Sequence, residues 1–261
     1  MLMSKIVRFL QGLMANPVEA ALYIPEHLSL HHEYRPCYQP EPDWELRLHS
    51  WFGAAWPCPE RTTLDVLWRN IASELQAQGL RFGRHTYGGY SDAEISLAHA
   101  VWCTVLHQHP SVVLETGVAR GVTSRIVLEA LIRNDQGHLW SIDLPHPFEK
   151  KLHGQTGAVV PASYRVRWSY IEGSSRRRLP SLLRSLDRVD LFIHDSLHTA
   201  RNTRFEMELA LSAMASGGIM IIDDISTHQG FGDFARDFPS LETLVCPHSD
   251  RAGSFFGLVK I

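Results

Sequence analysis

Three aspartates and a histidine late in the chain, Asp195, His198, Asp223 and Asp224, are the residues whose types and spacing most readily do chemistry. Each acid ends an apolar run: Asp195 follows Val189–His194, and Asp223-Asp224 follow Ile219–Ile222. Carboxylates gathered at one sheet edge repel unless a cation or hydrogen bonds offset them, and their oxygens suit Mg²⁺, Ca²⁺ or Mn²⁺. His198 comes one short turn after Asp195, so its imidazole could face the same pocket. With a reference pKa of about 6.5, a neutral histidine there could take a proton from a polarised hydroxyl. A plainer reading stands beside this one, in which one aspartate caps a helix, another is solvated, and the histidine packs the following helix.

Other apolar runs end in the same way. The first is followed by Glu115-Thr116-Gly117-Val118-Ala119-Arg120-Gly121-Val122-Thr123-Ser124, the next by Asp143, and the third by Gly173-Ser174. Glycines allow a sharp turn and close approach of a ligand to backbone. The turn is not GxGxxG, so the signature of a dinucleotide pyrophosphate site is missing. Asp143 falls about twenty residues beyond it, where an acid that accepts hydrogen bonds from both ribose hydroxyls belongs; an N-cap role is the alternative.

These residues need a scaffold that brings strand ends together. Apolar runs at Ser111–Glu115, His138–Ile142, Val166–Ile171, Val189–His194 and Ile219–Ile222 read as strands. Helical patterns lie between them at Val122–Ile132, Leu179–Leu186 and Arg201–Met214. Such alternation implies βαβ units and a doubly wound, mostly parallel α/β sheet, in which ligands sit beyond the carboxyl ends of the strands. Glu242–Cys246 and Ser254–Ile261 read as a final antiparallel pair. Upstream, Leu64, Leu67, Ile71 and Leu75 form a helical stripe, and Ser91-Asp92-Ala93-Glu94 reads as a capping box opening a helix from Asp92 to about His107. Residues 1–60 have a different texture from 61–261. Met1–Met14 reads as an amphipathic helix that docks on its own chain or on a twin subunit, giving a homo-oligomer. The stretch from 15 to 60 carries Pro25, Pro36, Pro40, Pro42, Pro57 and Pro59 and reads as an extended wrap or lid. Its aromatics (Tyr34, Tyr38, Trp44, Trp51, Trp56) either line a pocket for an acceptor or form the core of that segment.

Bulk properties narrow the function classes. The 261 residues are 44% hydrophobic and 20% charged, an ordinary globular composition, with a net charge of −3. The longest basic cluster is Arg176-Arg177-Arg178, too little for a nucleic-acid surface. No apolar stretch is long enough to span a bilayer, and the start lacks a secretory h-region, so a cytoplasmic location without membrane partners is expected. Cys37, Cys58, Cys103 and Cys246 are scattered with no CxxC pair. Neither a structural zinc nor a redox motif is therefore expected, and His107 shows no metal-ligand spacing.

Taken in order, ETGVARGVTS, SIDLP, IEGSS, DLFIHDSLH and GGIMIIDD resemble the class I methyltransferases. They are most similar to the branch with the macrolide-sugar and aminocoumarin O-methyltransferases and relatives of the cephalosporin-modifying proteins. The resemblance covers about residues 85 to 260. It implies a Rossmann-like sheet of seven strands with a reversed last strand, and S-adenosylmethionine as cofactor. Contacts to that cofactor are implied at Glu115, Thr116, Gly117, Gly121, Ser124, Asp143, Gly173, Ser174 and Asp195. It further implies Mg²⁺ or Mn²⁺ on Asp195, Asp223 and Asp224, with His198 as base. The expected activity is O-methylation of a small-molecule hydroxyl, on a sugar or natural product. The alternative is a silent cofactor-binding scaffold of the same fold. Relatives often carry glycine where this chain has Ser196.

Overall fold

The computed structural model describes residues 17–145 and 150–261; the expected helix at Met1–Met14 lies outside them. Seven strands form one sheet: β1 (Val112–Thr116), β2 (His138–Asp143), β3 (Trp168–Glu172), β4 (Val189–His194), β5 (Met214–Ile222), β6 (Glu242–Pro247) and β7 (Phe255–Lys260). Their spatial order is β3-β2-β1-β4-β5-β7-β6. β7 runs antiparallel to β5 and β6, and every other pairing is parallel. This is the doubly wound sheet with a reversed last strand that the alternation and the resemblance imply. Its strand order changes direction between β1 and β4, the switch point where ligands bind.

Both faces are covered, and strand residues alternate between them. Val113, Leu139, Leu191, Ile193, Ile219 and Ile221 join one buried cluster. They pack with α2 (Trp44–Phe52), α3 (Arg61–Ala77), α4 (Ile95–Gln108) and α5 (Val122–Arg133). Leu114, Ile142, Phe192, Met220 and Ile222 face the other way. There they meet α6 (Ser175–Leu183), α7 (Ala200–Leu211) and α8 (Gly230–Asp237). Two buried faces explain why β4 and the end of β5 read as unbroken apolar runs.

The boundaries differ from the sequence reading where tertiary contacts override local signals. The helix expected from Asp92 starts at Ile95, because Glu94 rather than Ser91 caps it, accepting a hydrogen bond from Ser96 N. Asp92 is instead the partner of buried Arg120, which also reaches Arg81 O at 2.8 Å. Met214, placed at the end of a helix by periodicity, begins β5.

The proline-rich stretch is more helical than expected. α1 (Pro17–Ser29) continues through Pro25, where the sequence predicts a break. Its ion pairs compensate: Glu26 lies against Arg176 and Arg201, and Glu19 against Arg177. The arginine cluster thus binds this chain's own helix. Beyond it the backbone crosses the sheet edge, where Glu41 N donates to Val245 O at 2.8 Å.

Candidate active site

β1 ends on Glu115 and Thr116, both fully buried. Glu115 Oε2 accepts from Ser124 Oγ at 2.7 Å and Ser141 Oγ at 2.6 Å, tying the strand to α5 and β2. Burial pushes its carboxyl up to about 8, with Asp195 and Asp143 adding to the rise against those two hydroxyls. Its second oxygen, Oε1, is buried without a partner. The turn after β1 then bends through Gly117 at φ +88°. A Cβ there would lie 1.9 Å from the carbonyl oxygen of Asp195, so only glycine lets the β1 and β4 loops meet. Gly121, at φ +83°, starts α5, and its missing side chain makes room for Val160 and Gly157.

Asp143 closes this turn from β2. Its Oδ2 accepts from Ala119 N at 3.1 Å. Burial lifts its carboxyl to about 6 although three backbone N–H groups oppose the rise. Gly173 N donates to Asp143 O at 2.9 Å, bringing the end of β3 alongside. Ser174 caps α6 with a buried, unpartnered Oγ, and its N–H points to Glu19 Oε1 of α1 at 3.3 Å. Glu115, Gly117, Gly121, Asp143, Gly173 and Ser174 therefore gather around one turn, at the carboxyl ends of β1, β2 and β3. Thr116 and Ser124 do not face it through their side chains: the Thr116 hydroxyl donates to Glu206 and that of Ser124 to Glu115.

Across the switch point, Asp195, His198 and Asp223 bring ligand atoms within 4.8 Å of one another, as do Asp223, Asp224 and His248. His198 Nε2 lies 3.6 Å from Asp195 Oδ1, an ion-pair distance, and its Nδ1 is buried without a partner. Burial opposes a charge on His198, but hydrogen bonding to Asp195 and the charges of Asp224 and Asp223 outweigh it and raise its pKa. Asp195 is raised as well, by burial first and by Asp223 and Asp224. Asp223 is held low by His248, whose Nε2 lies 3.2 Å from Asp223 Oδ1. Asp224 adopts φ +48°, unusual for a residue with a side chain, and its Oδ1 lies 3.3 Å from Arg251. The carboxylate oxygens of Asp195 and Asp223 suit a hard divalent cation, whereas the His198 imidazole beside them is a softer donor. Asp224 is turned toward Arg251 and is the least available of the three acids.

A second polar cluster, not anticipated from the sequence, holds this edge in place. Glu206 of α7 is fully buried and accepts from Thr116, His194 Nδ1 (2.6 Å), Ser196 Oγ (2.7 Å) and Asn202 Nδ2 (2.8 Å). Burial would raise its carboxyl, but His194 and the hydrogen bonds outweigh that and hold it at about 2. Ser196, where relatives often have glycine, is thus a strut that fixes the loop carrying Asp195. Glu94 and His248 form a similar strut at 2.9 Å behind Asp223. The aromatics offered as acceptor-pocket lining are largely packing groups. Trp44 meets Phe256 edge-on at 5.2 Å, Tyr38 meets Phe231 at 6.1 Å, and Trp51 and Trp56 pack against the main core.

Comparison with known proteins agrees with this fold. A family model described as a methyltransferase domain matches residues 114–225. No curated protein matches the chain. Among solved structures, an O-methyltransferase from Bacillus cereus in complex with SAH is 15% identical with a TM-score of 0.57, covering 79% of this chain and 94% of that one. The O-methyltransferase TomG from Streptomyces achromogenes, involved in tomaymycin synthesis and bound to SAM, is 14% identical with a TM-score of 0.56, covering 74% and 88%. SAH-bound methyltransferase PaMTH1 from Podospora anserina is 13% identical with a TM-score of 0.52, covering 87% and 98%. No helix among the described residues is long and apolar enough to cross a membrane. The strand order with its reversed seventh strand is the class I methyltransferase fold, and residues 114–225, from β1 to the end of β5, match a methyltransferase domain.

Proposed function

We propose that the protein transfers a methyl group from S-adenosylmethionine to a hydroxyl of a small molecule such as a sugar or natural product. The observation that carries this reading is the pairing, at one switch point, of a glycine turn bordered by Asp143 with an acid–histidine cluster beside it. Three buried atoms without hydrogen-bond partners, Glu115 Oε1, Ser174 Oγ and His198 Nδ1, support a bound cofactor and acceptor there. When bound, the sulfonium supplies an activated methyl group, and a divalent cation on the acids polarises the acceptor hydroxyl.

The chain's own residues supply binding, orientation and the proton site. The outer oxygen of Asp143 holds the ribose hydroxyls, while its inner oxygen keeps the turn closed. With a divalent cation offsetting the acids that raise its pKa, His198 would turn Nε2 to Asp195 and receive the acceptor's proton at Nδ1. The buried struts hold donor and acceptor groups in line, which is where much of the rate gain in such transfers arises.

A second reading has an observation behind it. His248 and Arg251 already lie against Asp223 and Asp224, which favours a metal-independent enzyme whose acids are held by internal cations. Product analysis separates the two. With methyl-labelled cofactor and a panel of hydroxyl acceptors, acceptor-dependent formation of demethylated cofactor is expected with Mg²⁺ or Mn²⁺ and not in excess EDTA. Full turnover in EDTA favours the second reading. Cofactor binding with no transfer to any hydroxyl would leave a silent scaffold.

A further inference from the structure

A second group of metal-ligating side chains lies at the opposite edge of the sheet from the acids. His49 comes from α2, Cys58 from the loop after it, and Cys103 and His107 from one face of α4, one helical turn apart. The edge is fixed by Gln108 next door, whose side chain reaches Asp190 O, at the start of β4, at 3.0 Å. Cys58 Sγ lies 3.5 Å from Cys103 Sγ and 3.6 Å from His107 Nε2. The ligand atoms of His49, Cys58 and His107 lie within 4.8 Å of one another.

The orientation of His49 is the decisive detail. Its Nδ1 donates to the backbone carbonyl of Glu45 at 2.7 Å, which fixes the tautomer and leaves a lone pair on Nε2. That Nε2 is buried and has no hydrogen-bond partner, in a residue only 1% exposed. An imidazole pinned through one nitrogen to a carbonyl and aimed through the other into a buried gap is the arrangement metal-binding histidines adopt. With zinc–sulfur bonds near 2.3 Å and zinc–nitrogen bonds near 2.0–2.1 Å, a tetrahedron has edges of about 3.4–3.8 Å. The two measured edges involving Cys58 fall in that range. Trp56 packs on the His49 ring at 5.0 Å and Phe52 on His107 at 6.3 Å, giving an apolar shell.

We infer that His49, Cys58 and His107, whose ligand atoms already converge, bind Zn²⁺ with Cys103, which reaches the group through Cys58 and turns in to complete a closed Cys₂His₂ site, clamping α2 and the 53–60 loop to α4. Two thiolates and two imidazoles are the soft, tetrahedral donor set zinc prefers. Four protein ligands leave no open coordination position, so the role is structural. The site would do for the N-terminal segment what the acid–arginine pairs of α1 do further along. CxxC spacing misses it because its ligands come from three elements and only Cys103-x₃-His107 is local in sequence.

The test uses the full chain purified under reducing conditions. Elemental analysis should give about one zinc per chain. Replacement by Co²⁺ should give intense red-region bands of a tetrahedral centre together with a near-ultraviolet thiolate-to-cobalt band. That thiolate band distinguishes this site from the carboxylate cluster and should persist in Asp195→Asn/Asp223→Asn. Cys58→Ser and Cys103→Ser should each weaken or abolish it, whereas Cys37→Ser, at an exposed cysteine, should not. Should those serine variants misfold, alkylation of the wild type remains informative: Cys58 and Cys103 should be protected until a chelator is added. A reduced protein that neither retains zinc nor develops the thiolate band would overturn the inference. So would peptide mapping that finds Cys58 and Cys103 joined as a disulfide in the native protein.

Discussion

Two carboxylates at the carboxyl edge of the sheet, Glu206 buried and Asp195 partly exposed, behave in opposite ways. Glu206 is surrounded by four donors and is held at about 2 by His194 and hydrogen bonds despite its burial. Asp195, on the loop that Glu206 anchors, has one histidine at 3.6 Å, with Asp223 and Asp224 close by, and is raised instead. Satisfied buried polar groups specify a unique structure, whereas an under-compensated one stores a demand for a ligand. The difference separates the residue that builds the site from the residue proposed to work in it. Exchanging their chemistry should therefore have opposite consequences.

The largest expected effect is on turnover. Asp195→Asn and His198→Ala should each lower turnover by about 10²–10⁴-fold, with cofactor affinity nearly unchanged. Thermal stability should stay level or rise in Asp195→Asn, because a crowded carboxylate is removed. A stable His198→Ala protein with near wild-type turnover at saturating acceptor would take His198 out of the mechanism. For Glu206→Gln the pattern reverses. Removing a buried carboxylate that four donors address leaves some of them unsatisfied, at about 1–3 kcal/mol each, so urea unfolding should shift strongly while the folded fraction still binds cofactor. Unchanged stability would show that the comparison misplaces the anchor.

Acid sharpens the same contrast. The ordinary value for Glu206 is 4.5 and its folded value about 2, so its contribution is present above about pH 4.5 and lost as pH falls toward 2. At roughly 1.4 kcal/mol per unit, that window holds a few kcal/mol. A wild-type stability curve as flat as that of Glu206→Gln between those limits would contradict the assignment. Smaller again is Asp143→Ala, which should weaken cofactor binding by about 1–3 kcal/mol through lost charge-assisted hydrogen bonds. Equal affinity in calorimetry would place the ribose acid elsewhere.

The working residues were the more legible of the two kinds. Asp143, Asp195, Asp223 and Asp224 each follow an apolar run, so a one-dimensional pattern locates them, and the alternation of runs fixes the sheet. Glu206 gives no such signal. It sits inside a helix, and its donor Thr116 is 90 residues away in sequence. Long-range pairing also explains the misread capping box, since Arg120 claims Asp92 across 28 residues, and the intact helix through Pro25, which distant arginines hold. The His49–Cys58–Cys103–His107 cluster was illegible for the same reason: Cys58 and Cys103 are 45 residues apart and meet only through the packing of α2 on α4.

Ligand choice at the glycine turn is the most direct test of the central claim. Calorimetry of the purified protein with S-adenosylmethionine, its demethylated product and NAD should show micromolar-range binding of the first two and none of the third. The melting temperature should rise with their concentration as mass action requires. Binding of NAD with no binding of either sulfur ligand would contradict the assignment of this turn to methyl transfer.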